Sequence, residues 1–112
     1  MELQIKGRNL EVSESMRAFA ERKLAKIGRL CHESTRVELE LAVEKNPSVA
    51  AHEVAEATVW LKGRTLRARE ASRDMKASID EVTEKLHREL TDLRDKRVTK
   101  RRAHVEPIET QP

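Results

Sequence analysis

The stretch RVELELAVEK, Arg36 to Lys45, alternates apolar and polar residues without a break: Val37, Leu39, Leu41 and Val43 share one face, and Glu38, Glu40 and Glu44 the other. A period of two is the mark of a strand with one face on a core and one in water. Downstream, NPSVAAH is turn chemistry. HEVAEATVWLKG, from His52, then resumes a strand with Ala55, Ala57, Val59 and Leu61 on one face and Val54, Glu56, Thr58 and Trp60 on the other. Lys62-Gly63 predicts a tight hairpin, after which RTLRARE returns with Leu66 and Ala68 inward and Arg67 and Arg69 outward. Upstream, ELQIKG alternates around Leu3 and Ile5 and reads as a short first strand.

Two segments change period from two to between three and four. Beyond Ser13, an N-cap followed by Glu14, the residues Met16, Phe19, Ala20, Leu24, Ile27 and Cys31 form one helical stripe that ends near Leu30 to Glu33. From about Ser72, its expected cap, to Thr99, a longer helix carries Met75, Ile79, Val82, Leu86, Leu90 and Leu93 within about 40° of one line along its surface. Each such side chain contributes about 1.5–3 kcal/mol when buried, enough to hold the helix on a sheet. The order β-α-β-β-β-α predicts an α+β two-layer sandwich, with two helices on one face of a four-stranded sheet. One domain over residues 1–102 and a disordered tail over 103–112, with two prolines and no periodicity, complete the expected organisation.

A chain of 112 residues has a small core and little room for a buried catalytic cleft. No apolar run approaches the roughly 18 residues that cross a membrane, and no signal peptide opens the sequence. Cys31 is the sole cysteine, so no internal disulfide forms, and a reduced cytoplasmic setting is expected. Cys31 and His32 adjoin, but neighbours at a helix end do not face one another, and His52, His87 and His104 are scattered. No metal, cofactor or catalytic constellation is expected.

Charge is distributed by segment. Glu33 to Thr58 has six acids against two bases, a balance of −4; Ser13 to His32 has five bases against two acids, +3; Lys85 to Arg102 has eight bases against three acids, +5. Polyanion-binding proteins separate charge in this way. Arg22, Lys26 and Arg29 fall together opposite the first helix's apolar stripe. On the long helix, Lys85, Arg88 and Lys96 line one flank, interrupted by Asp92, while Lys76 and Arg94 lie on the other with His87 close by. Past Leu93 the cations continue through Arg97, Lys100, Arg101 and Arg102; the helix dipole favours two or three of them but does not explain the basic face of the first helix. Two helices side by side are expected to leave a shallow basic groove suited to phosphates.

The segment DMKASIDEVTEKLHRELTDLRDK, with IKGRNLEVSESMRAFAERKLAKI and the strand ending VEK, resembles the ribosome hibernation promoting factor family, which includes ribosome-associated inhibitor A. Asp74, Met75, Ser78, Ile79, Asp80, Lys85, Leu86, Arg88 and Leu90 match the family's last-helix core, and the likeness runs from Leu3 to Arg102. It implies a fold similar to double-stranded RNA-binding domains. It also implies binding in the decoding region of the small ribosomal subunit, across the transfer RNA and messenger RNA sites, with translation blocked by occupancy under stress. Lys23, Lys26 and Arg29, with Lys85, Arg88 and Lys96, stand at positions basic in the family. Added to the faces above, they give a candidate ribosomal-RNA surface of Arg22, Lys23, Lys26, Arg29, Lys76, Lys85, Arg88, Lys96, Arg97, Lys100 and Arg101. Lys76 replaces a common aromatic and Asp92 a common base; long-form members carry a second, dimerising domain after a linker, and the tail AHVEPIETQP reads either as the native end of a short form or as the start of such a linker. The expected partner is therefore the small subunit and its RNA, with no DNA, no membrane and a monomeric chain.

Aromatic residues make up only 2% of the chain, which suits recognition through phosphate, sugar and shape rather than base stacking. Trp60, beside Arg67 and Arg69 on the outer sheet face, either stacks on a base or meets a cation; the structural role is favoured. The competing function is a protein-interaction module that modulates an alternative sigma factor through an acidic sheet face of Glu38, Glu40 and Glu56.

Overall fold

The computed structural model of the chain describes residues 1–45 and 52–105, with side chains through residue 95. Strand β1 (Glu2–Arg8) is followed by helix α1 (Glu14–Gly28), strands β2 (Arg36–Val43), β3 (Glu53–Leu61) and β4 (Arg64–Ser72), and helix α2 (Met75–Val105). The sheet order is β1-β2-β3-β4. Because α1 carries the chain back across the sheet, β1 pairs with β2 in parallel; the remaining pairs are antiparallel. α1 packs over β1, α2 over β3 and β4, and the helices pack against each other. The expected architecture is the one found.

The inward positions close a single core. Ile5, Val37, Leu39, Leu41, Ala55, Ala57, Val59 and Ala68 of the sheet meet Ala20, Leu24 and Ile27 of α1 and Met75, Ile79, Val82, Leu86 and Leu90 of α2. Val43, expected inward, is exposed. It sits one residue past the last β1–β2 pair, Arg8 with Ala42, where β1 no longer flanks it. The β3–β4 hairpin turns at Lys62-Gly63 as expected, with Gly63 at φ +82°, where a side chain would be strained.

Ser13 caps α1, its Oγ accepting the Met16 N–H at 3.1 Å. The helix ends at Gly28, earlier than the apolar stripe suggests. The N–H groups of Leu30 and Cys31 bond back to the carbonyls of Ile27 and Gly28, tightening the last turn and placing Cys31 beyond it. α2 begins later than expected. Ser72 ends β4 instead of capping the helix, and its Oγ accepts the Asp74 N–H, while the Asp74 carbonyl accepts the first helical N–H, from Ser78. α2 runs through Val105, three residues past Arg102, because Arg and Ala sustain a helix and no breaker intervenes before Pro107. The rest of the expected tail, and most of the NPSVAAH turn, lie outside the described residues.

Candidate nucleic-acid interface

The seam between α1 and α2 concentrates the chemistry. The α1 row Arg22, Lys26 and Arg29 borders α2. A concavity of about 620 Å³ opens there, lined by Arg22, Ala25, Lys26, Arg29 and Leu30 from α1 and by His87 and Arg94 from α2. Arg29 and Arg94 have no ion-pair partner among the described residues. Two cross-helix ion pairs close the seam: Lys23 Nζ stands 3.1 Å from Asp80 Oδ1, and Lys26 Nζ contacts Glu84 Oε1. The Lys26 hydrogen bond and charge hold the Glu84 carboxyl below its ordinary range. At the seam's other end, Arg22, Lys23 and Lys76 each stand 5.5 Å from the centre of the Phe19 ring, so the chain's only phenylalanine is ringed by cations.

This arrangement divides the sequence-derived set. Arg22, Lys23, Lys26, Arg29 and Lys76 converge on the seam. Lys85 and Arg88 do not, although the sequence predicts one basic groove between the helices. At 100° per residue, Lys85 and His87 lie on opposite sides of Leu86. The His87 side faces α1. The other side is the one from which buried Ser78 donates to the Glu53 carbonyl at 2.6 Å and meets Ser72 Oγ at 2.7 Å. Lys85 and Arg88 therefore flank β4, with exposed Asp92 beside them, so Asp92 does not interrupt the groove. The groove wall that α2 supplies is His87 and Arg94, both absent from the sequence-derived set. Their position opposite Lys85 was readable from the helical repeat, but which flank meets α1 was not. The side chains of Lys96, Arg97, Lys100, Arg101 and Arg102 lie outside the described residues.

The outer sheet face is organised differently. Glu38 pairs with Lys6 at 3.1 Å, Glu40 with Lys6 and Arg8 at 3.7 Å each, and Glu44 with Arg69. The register places Glu56 between Glu40 and Arg69. Hydrogen bonding to Glu38 raises the Lys6 pKa above its ordinary value. Glu38, Glu40 and Glu44 of this face are thus matched by bases from the edge strands. Trp60 meets Arg36, its register partner on β2, with the guanidinium 4.7 Å from the ring centre. Its cation comes from β2 and not from Arg67 or Arg69.

Cys31 is half-buried, and desolvation pushes its thiol pKa up, away from nucleophilic reactivity. The neighbouring His32 ring bonds Ser34 through Nδ1 at 2.8 Å. Among the described residues no group of three or more His, Cys, Asp or Glu side chains could hold a metal ion, and no helix is long and apolar enough to cross a membrane.

Comparison with known proteins gives this geometry a context. Residues 3–98 match the family described as Sigma 54 modulation protein / S30EA ribosomal protein. The chain is 36% identical over 107 residues to the ribosome hibernation promotion factor of Picosynechococcus sp., covering 95% of this chain and 55% of that protein. It is 35% identical over 96 residues to the ribosome hibernation promoting factor of Salmonella typhimurium, covering 86% of this chain and 96% of the relative. It thus spans about half of one relative and nearly all of the other. Among solved structures, the N-terminal domain of Thermus thermophilus Protein Y superposes with a TM-score of 0.70 at 26% identity, covering 83% of this chain and 99% of that domain.

Proposed function

Because the chain belongs to the Sigma 54 modulation protein / S30EA ribosomal protein family, we propose that it is a ribosome hibernation factor. In this reading it binds the small ribosomal subunit, occupies the decoding region and blocks translation by excluding transfer RNA and messenger RNA. The observation that carries the proposal is the concave α1–α2 seam, where Arg22, Lys26 and Arg29 face His87 and Arg94. Guanidinium groups on two rigid helices present forked donors at fixed spacing, the arrangement that takes phosphate oxygens of a folded RNA. Lys23 and Lys76 extend the cationic surface past Phe19. Lys85 and Arg88 offer a second contact to RNA on the β4 side of α2. The sigma-factor alternative loses support, since Glu38 and Glu40, two of the three acids it needs, are already paired across the sheet.

Sedimentation with purified small subunits tests the proposal. The wild-type chain travels with them at low salt and leaves as salt rises, each phosphate contact adding about 0.7–0.9 to the slope of log affinity against log salt. Reversing Arg22, Arg29 and Arg94 to Glu is expected to lower affinity on the order of 100-fold and to flatten that slope by about two to three. Unchanged binding by this variant, with its circular dichroism intact, would place the RNA elsewhere.

A further inference from the structure

The surface assigned to RNA contains two carboxylates that a pure phosphate cradle would exclude. Asp80 and Glu84, one helical turn apart on α2, each take a lysine of α1 that would otherwise be available to phosphate. These pairs contribute little to stability. The Lys23, Asp80, Lys26 and Glu84 side chains are 38%, 49%, 46% and 49% exposed, and ion pairs so open to water are worth little in a folded chain. The helices are already held by the apolar core beneath, where Leu24, Ile27, Ile79 and Leu86 are buried. Asp80 and Glu84 therefore act on the charge of the seam more than on its packing.

Resting on the reading of the seam as the RNA surface, we infer that Asp80 and Glu84 are affinity-limiting residues: they occupy Lys23 and Lys26 in the free protein and compete with RNA phosphate for them. Lys26 lines the concavity with Arg22, Arg29, His87 and Arg94, and Glu84 contacts it there, so an incoming phosphate that reaches Lys26 meets the pair. A phosphate that takes Lys26 leaves Glu84 without its cation and beside an anion, and binding bears that repulsion. The competition lowers affinity below what the number of cations implies and eases departure. A factor that must leave ribosomes when translation resumes requires such reversibility.

The experiment compares Asp80→Asn, Glu84→Gln and the double variant with wild type in small-subunit binding across a salt series. Glu81→Gln serves as control, because Glu81 is an exposed α2 acid with no ion-pair partner among the described residues. Each seam substitution is expected to tighten binding roughly two- to fivefold, the scale of an exposed ion pair. It should also steepen the salt slope by up to about 0.9 as one more lysine reaches phosphate. Binding that weakens or stays unchanged in the seam variants, with an unaltered melting temperature, overturns the inference. So does an equal gain from Glu81→Gln, which would reduce the effect to net charge. A wild-type chain that does not sediment with small subunits is a different failure, that of the hibernation reading itself.

Discussion

The two solvent-facing sides of this domain treat their charges in opposite ways. On the sheet side, edge-strand bases Lys6 and Arg8 pair with Glu38 and Glu40 of β2, and Arg69 with Glu44 just past it, so the charge is largely neutralised there. On the helix side, among the described residues, Asp80 and Glu84 pair with Lys23 and Lys26, and Arg29 and Arg94 have no ion-pair partner around the concavity. Net charge is thus a poor guide to a binding surface in a protein of this kind. What distinguishes the two faces is whether the bases outnumber the acids within reach, and that depends on register and helix rotation.

The helix side depends on the seat of α2, and breaking that seat is the harshest test of the comparison. Ser78 is fully buried and donates from the start of α2 to the Glu53 carbonyl of β3, with Ser72 Oγ alongside. Ser78→Ala removes the donor and is expected to cost about 1–3 kcal/mol, lowering the melting temperature by roughly 5 °C or more in a domain of this size. Small-subunit binding at temperatures below the transition should fall with it, because Arg94 and His87 are positioned by the same helix. A thermal scan that leaves the midpoint in place would show that the apolar stripe alone seats α2.

Much of this division was legible in the sequence, but unevenly. The alternation through Val37 to Leu41, the turn at Gly63, the Ser13 cap and the apolar stripe of α2 each announce their element locally, and each is found. The seam was harder to read, since pairing Lys23 with Asp80 and Lys26 with Glu84 requires the rotation of α1 about its axis and its position along α2. Neither is set by a local repeat. The same gap explains why Lys85 and Arg88 were grouped with the groove and Arg94 and His87 were not. The acidic sheet face failed for a related reason: parallel pairing brings Lys6 opposite Glu40, and nothing in β1 alone fixes that register. Ser72 was misassigned because a serine before a helix bonds a nearby N–H equally well from an N-cap or from a turn.

If the sheet side is a self-neutralised surface, altering its acids should leave RNA binding alone. Glu38→Gln with Glu40→Gln frees Lys6 and Arg8 without touching the helices, and small-subunit affinity is expected to stay within about twofold of wild type. The same two substitutions test the sigma-factor reading, which requires those carboxylates. A large gain in RNA affinity would make the sheet a second RNA face and erase the contrast with the seam.

The finest separation of the two sides is by pH. Glu84 is held below the ordinary glutamate value of 4.5, chiefly by its hydrogen bond from Lys26. Its favourable contribution is therefore complete above about pH 4.5 and is lost as pH falls through the lower folded value. Lys6 is raised above 10.5, chiefly by its hydrogen bond to Glu38, so its contribution is present below that pH and is lost as pH rises through the higher folded value. The helix seam should loosen in acid and the sheet ladder in alkali. In melting temperatures measured across pH, Glu84→Gln should flatten only the acid limb and Lys6→Met only the alkaline limb, each by a small amount because both groups are solvated. If one substitution flattened both limbs, the two faces would be electrostatically coupled through the sandwich, and the charge of the seam could no longer be treated as independent of the sheet.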